Sequence, residues 1–226
     1  VGSEMCIRDS IKPEAMSKYM KYFEEKCKGS KAMIEQAKKV IPGGVQHNLA
    51  FNYPFPLVVE KAEGAYLYDI DGNRYVDYLQ AGGPTLLGSN YEPVNRKVWE
   101  VVKESGPVTG LFHPYEMKLA EKIRECMPWV EMYRCLASGT EADMVAIRIA
   151  RTYTGKQNII KVGGAYHGWS DQLVYSLHIP YTQTFEAHGI PKEASANTKE
   201  FFPGDVAGLR KVLEENEKNG GTAAVI

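Results

Sequence analysis

The chain has 226 residues, 44% of them hydrophobic and 24% charged, which is enough apolar material for a core and unlike a disordered or fibrous composition. Its 27 basic and 28 acidic residues give a formal net charge of -1 without a long block of one sign, so it carries no electrostatic footprint for nucleic acid or an anionic membrane. No uncharged apolar run approaches the roughly 18 residues of a membrane span, and small-molecule chemistry is the expected field.

The first ten residues place Glu4, Arg8 and Asp9 where a signal peptide would need an apolar stretch, and they show neither helical nor strand periodicity. Residues 1–10 are therefore expected to be a foreign or disordered extension. Cys6, Cys27, Cys126 and Cys135 have no C-x-x-C spacing, so they read as reduced thiols, and the expected location is the cytoplasm.

Residues 18–28 are rich in lysine and glutamate, with Tyr19, Tyr22 and Phe23 able to share a face, and predict a helix. Residues 31–40 predict a second, stopped by Ile41-Pro42-Gly43-Gly44. The loop that follows, with Gln46, His47 and Asn48, is polar at its centre. A loop histidine there suits either simple solvation or contact with a substrate.

Short β-rich runs at 57–60, 65–69 and 74–78 predict a small antiparallel sheet, because Asp71-Gly72 between the last two is a hairpin signal. Gln80-Ala81-Gly82-Gly83-Pro84 breaks regular structure and leaves little side-chain bulk, so a ligand or another backbone could come close to Gly82. Helices are expected at 92–104 and 115–127, the second ending before Pro128.

The sharpest transition in the chain is Leu136-Ala137-Ser138-Gly139-Thr140-Glu141-Ala142. Residues 130–136 read as a short apolar strand, whereas Ala142, Val145, Ala146, Ile149 and Ala150 recur at helical spacing, which makes Ser138 the N-cap of a helix running to about Tyr153. The backbone N–H groups of Gly139 and Thr140, the positive end of the macrodipole and two hydroxyls could together hold a phosphate. The plainer reading is an ordinary capped helix.

Beyond it, 158–162 and 172–175 predict strands around the aromatic loop Gly163-Gly164-Ala165-Tyr166-His167-Gly168-Trp169. Residues 176–202 read as irregular, 205–218 as a helix ended by Asn219-Gly220-Gly221, and 222–226 as a strand. Alternating strands and helices argue for an α/β fold with a mostly parallel sheet and helices on both faces. Ligands gather at strand carboxyl ends in such sheets, so the Ser138 turn and the Tyr166 loop should be neighbours.

A phosphate cradle beside an aromatic loop suits pyridoxal phosphate, with Tyr166 stacking on the ring. A nicotinamide cofactor lacks its G-x-G-x-x-G after a strand, and a hydrolase built on Ser138, His167 and Asp171 lacks G-x-S-x-G. No metal-ligand spacing is present.

Ile41-Pro42-Gly43-Gly44-Val45, the run from Gly64 to Tyr78, Ser138-Gly139-Thr140-Glu141-Ala142 and Ala165-Tyr166-His167-Gly168 occur in the order seen in the class III pyridoxal-phosphate aminotransferases. Within that family the chain resembles the glutamate-1-semialdehyde 2,1-aminomutase-like branch, over residues 34–226. The resemblance implies a fold-type I transferase domain preceded by N-terminal helices and the small antiparallel sheet, with divisions at 1–10, 11–105 and 106–226. It implies that Ser138, Gly139 and Thr140 bind the cofactor phosphate, that Tyr166 covers the pyridine and that His167 shapes the loop. It further implies a small-molecule amino donor or acceptor as substrate and a homodimer.

The family's cofactor-bonding lysine and its pyridine-pairing aspartate come later than Ile226, so no catalytic residue is expected in this chain, which reads as an inactive N-terminal piece of an active protein. The aminomutase also has an arginine after P-G-G-V and a tryptophan where Gly82 stands. Gln46, His47, Asn48 and Gly82 would instead line the substrate pocket, and transfer of an amino group on another amino acid or ω-amino compound stands beside isomerisation. A pseudoenzyme or a structural partner subunit is the remaining alternative.

Overall fold

A computed structural model describes residues 12–47, 50–106, 110–174, 177–178, 184–185 and 189–226. The chain forms two compact units, the first ending at His113 and the second spanning Pro114–Ile226. The expected extension at residues 1–10 lies outside the described residues, as does Asn48.

In the first unit, helix α1 (Pro13–Lys26) starts on a proline, which supplies a helical φ and lacks the N–H that a first turn leaves unpaired. Helix α2 (Lys28–Ala37) follows and buries Ser30 and Ile34. Strands β1 (Val59–Glu63), β2 (Tyr66–Asp69) and β3 (Arg74–Val76) form the expected antiparallel sheet in the order β1-β2-β3, with Tyr68 opposite Arg74 across the hairpin. Gly72, at φ 82°, makes the turn possible.

The turn does more than reverse the chain. Asp69 Oδ1 accepts the backbone N–H groups of Asp71 and Asn73 at 3.0 and 2.8 Å, and the Asp71 carboxylate accepts those of Gly29 and Ser30 at 2.6 and 2.9 Å. A hairpin turn therefore caps the start of α2, satisfying donors that no local side chain reaches. Cys27, just before that helix, is fully buried beside the Tyr75 hydroxyl, which donates to Asp69 at 2.8 Å. Helix α3 (Glu92–Ser105) buries no residue, and Val94, Val98, Trp99 and Val102 are exposed along it.

The second unit contains α4 (Pro114–Cys126), α5 (Gly139–Thr154), β4 (Asn158–Val162), α6 (Asp171–Val174), β5 (Leu177–His178), β6 (Thr184–Phe185), β7 (Thr198–Phe201), α7 (Val206–Glu217) and β8 (Thr222–Val225). Strands β7, β4 and β8 form a parallel sheet in that order, with β4 at its centre. Ile147 of α5, Ile159 of β4 and Leu173 of α6 make the core on one face. The chain steps from β4 out to β7 and back across to β8, with α7 making the second connection.

Three sequence expectations fail here. Residues 130–136 form no strand: they lie unpaired and largely exposed, because apolar alternation makes a strand only where another strand takes up its backbone groups, and none does among the described residues. Of the strand expected at 172–175, residues 172–174 instead belong to the helical turn Asp171–Val174, with the N–H groups of Leu173 and Val174 on the Ser170 carbonyl, because so short a run does not distinguish strand from helix by period; Tyr175 lies outside the described residues. Within 176–202, read as irregular, β5 and β6 pair as a short antiparallel ladder, and Thr198–Phe201 is an edge strand whose sequence Thr-Lys-Glu-Phe offers little β signal and which is held by its register on β4.

Candidate functional site

Helix α5 begins where expected. Ser138 is its N-cap in extended backbone, and its hydroxyl accepts the N–H of Glu141 at 3.3 Å. The first intrahelical bond runs from the Ala142 N–H to the Ser138 carbonyl at 3.0 Å, so the N–H groups of Gly139 and Thr140 precede the ladder and point out of the helix start. Ser138 and Gly139 are exposed and Thr140 is half-buried. A Cβ built on Gly139 meets nothing within 4 Å; the space in front of the helix is open.

The aromatic loop leaves the carboxyl end of β4 through a turn in which the Ala165 N–H bonds the Val162 carbonyl at 3.2 Å. Its last glycine seats it on the helix start. Gly168 has φ +84°, and a Cβ there would lie 2.5 Å from Thr140 Oγ1 and 2.8 Å from Thr140 Cα. Only glycine allows that backbone conformation and that approach together. The Ser138 turn and the Tyr166 loop are therefore neighbours, as the fold rule required, although only the loop follows a strand.

Tyr166, two residues before Gly168, is 67% exposed. His167 Nε2 and Ser170 Oγ are buried and have no hydrogen-bond partner among the described residues.

The substrate candidates all belong to the first unit. Gln46 and His47 are exposed in the turn after Pro42–Gly44, and the His47 carbonyl accepts the Ala50 N–H at 2.9 Å. Gly82 ends the turn Gln80–Gly82 at φ 84°. Gln80 and Ala81, at φ 49° and 53°, share the left-handed region that side chains disfavour, so this loop holds backbone strain at residues the sequence did not single out. It borders a cavity of about 310 Å³ whose lining includes Gly64, Ala65, Asp77 and Thr85.

The fold is that of an aminotransferase domain. The omega-transaminase of Sphaerobacter thermophilus superposes with a TM-score of 0.81 at 26% identity, covering 90% of this chain and 48% of that one. A transaminase solved with PLP bound superposes at 0.78 and 28% identity, covering 88% and 46%. The family description "Aminotransferase class-III" matches residues 49–207, and the chain belongs to that family. Glutamate-1-semialdehyde 2,1-aminomutase of Methanothrix thermoacetophila is 38% identical over 199 residues, covering 87% of this chain and 45% of that protein. The chain thus spans about half the length of this relative.

Among the described residues no group of His, Cys, Asp and Glu could hold a metal ion, and no helix is long and apolar enough to cross a membrane.

Proposed function

We propose that the full-length protein is a pyridoxal-phosphate-dependent enzyme that moves an amino group on an amino acid or ω-amino compound, by transfer or by a 2,1-shift. The observation that carries the reading is the seating of Gly168 on Thr140, which unites an open helix start with an aromatic loop. The residues present fit the cofactor. Gly139 and Thr140 would bind its phosphate through backbone N–H groups, with the hydroxyls of Ser138 and Thr140 alongside, and Tyr166 would cover its ring. His167 would hold the loop by pairing its buried Nε2 once the rest of the site is in place.

Bound pyridoxal phosphate supplies an electron sink for the carbon that bears the amino group. The residues of this chain anchor and orient it; by family resemblance the lysine and aspartate that complete the chemistry lie later than Ile226 in the parent. Gln46, His47, Asn48 and Gly82 are proposed to contact the substrate, Gly82 on a strained loop whose rigidity would fix the pocket wall. A cytoplasmic homodimer, its seam near the segments before Gly64 and the loop 80–84, completes the proposal.

The test is to supply the full-length protein with pyridoxal phosphate, a panel of amino donors with keto acceptors, and glutamate-1-semialdehyde. Amino transfer or the 2,1-shift supports the reading; neither, with cofactor bound, overturns it.

A further inference from the structure

We propose that Lys161 is a positioning residue for the Tyr166 loop, its buried ammonium fastening the far end of that loop through the Leu173 carbonyl. The functional meaning rests on the cofactor site proposed above. Strand residues two apart share a face, so Lys161 lies one pleat beyond Ile159, on the core side and at the end of β4 where the loop departs. The side chain is fully buried, and its Nζ donates to the Leu173 carbonyl at 3.1 Å.

A lysine is an expensive choice for such a position. Leu173 lies on the four-residue helix α6, and the ammonium ties that short turn to β4 through its carbonyl. Glu200 stands next to Lys161 in the β4–β7 register, where its charge opposes the lowering of the Lys161 pKa by burial. A second tie comes from α5: Arg151 donates to Gln172 Oε1 at 3.1 Å and to the Gln157 carbonyl at 2.9 Å. Loop 163–170 is therefore pinned by its turn on Val162 at one end and by α6 at the other. Gly168 lies between the two pins, in contact with Thr140. Misplacement by about 1 Å at such a contact can cost about a hundredfold in catalysis, which would justify a buried charge.

The experiment uses the full-length protein freed of cofactor. The variant K161M/E200Q removes the ammonium while leaving no buried carboxylate uncompensated; E200Q and K199M, at an exposed lysine of β7, are controls. Amide hydrogen exchange is read across the second unit, and pyridoxal phosphate affinity is read by tryptophan fluorescence. The double variant should speed exchange in 163–174 by about tenfold or more while α7 and β8 keep wild-type rates, and should weaken cofactor binding by about tenfold; the controls should do neither. Unchanged exchange in 163–174 overturns the proposal, as does exchange raised equally throughout the unit. Should the double variant not fold, K161L/E200Q, which keeps apolar bulk and has no donor, is read in the same two ways. Failure of the wild-type protein to bind pyridoxal phosphate would defeat the cofactor reading, while the exchange measurement would still decide whether Lys161 fastens the loop.

Discussion

Gly168 lies so close to Thr140 that a single added methyl group would stand 2.5 Å from the threonine hydroxyl. The contact joins the loop after β4 to the start of α5. Gly168→Ala would combine a clash with a left-handed φ of +84°, a conformation costing an alanine about 1 kcal/mol before any clash is counted. The expected outcome is a folded full-length protein with pyridoxal phosphate affinity lower by about tenfold, measured by equilibrium dialysis. Wild-type affinity would show that the loop does not need this seat.

Ser138→Ala removes the hydroxyl that accepts the Glu141 N–H. Loss of an N-cap costs about 1 kcal/mol, so the thermal midpoint should fall by a few degrees. Because the same hydroxyl is proposed to face the phosphate, competition between inorganic phosphate and pyridoxal phosphate should also weaken. A shift in the midpoint with unchanged phosphate competition would leave Ser138 a helix cap and nothing more.

Asp71 gives the first unit an acid limit. Partial burial raises its pKa, but hydrogen bonds from the N–H of Ser30, the N–H of Gly29 and the Ser30 hydroxyl outweigh that and hold it below the ordinary carboxylate range. A group depressed in the folded state lends stability above its unfolded pKa and loses it as pH falls through the folded value. Stability should therefore decline below about pH 4, the unfolded carboxylate range, and Asp71→Asn should flatten that part of the curve in urea unfolding at stepped pH. At neutral pH, Asp71→Ala should cost about 1–2 kcal/mol through the lost cap.

Cys27 is fully buried, and burial foremost, with the nearby Asp69 and Asp71 charges, pushes its thiol pKa up against the opposing effect of its hydrogen-bond contact with Tyr75. Cys126 and Cys135 are exposed. Alkylation of the native protein followed by peptide mass spectrometry should label Cys126 and Cys135 within minutes and Cys27 only in denaturant, since the thiolate is the reactive form. Labelling of Cys27 at the rate of the others would mean that the network around Asp69 opens readily.

The 226-residue chain alone is expected to show no amino transfer with pyridoxal phosphate, while a chain extended through the family's lysine turns over. Turnover by the short chain would place the chemistry on residues assigned here to anchoring alone.

The sequence by itself determined the features made by residues three or four apart. The Ser138 cap, the helix that follows it and the Asp71-Gly72 turn are decided by hydrogen bonds and φ preferences within a single turn of chain, so they are legible locally. Only the tertiary structure decided what those pieces meet. Nothing near Asp71 in the sequence says that its carboxylate caps a helix some 40 residues earlier, and nothing near Gly168 says that Thr140 lies against it. The same holds for the sheet. Residues 130–136 have strand chemistry and no partner among the described residues, while Thr198–Phe201 has little strand chemistry and pairs fully with β4. Strand formation is settled by the neighbour that takes up the backbone hydrogen bonds, and that neighbour is remote in the chain.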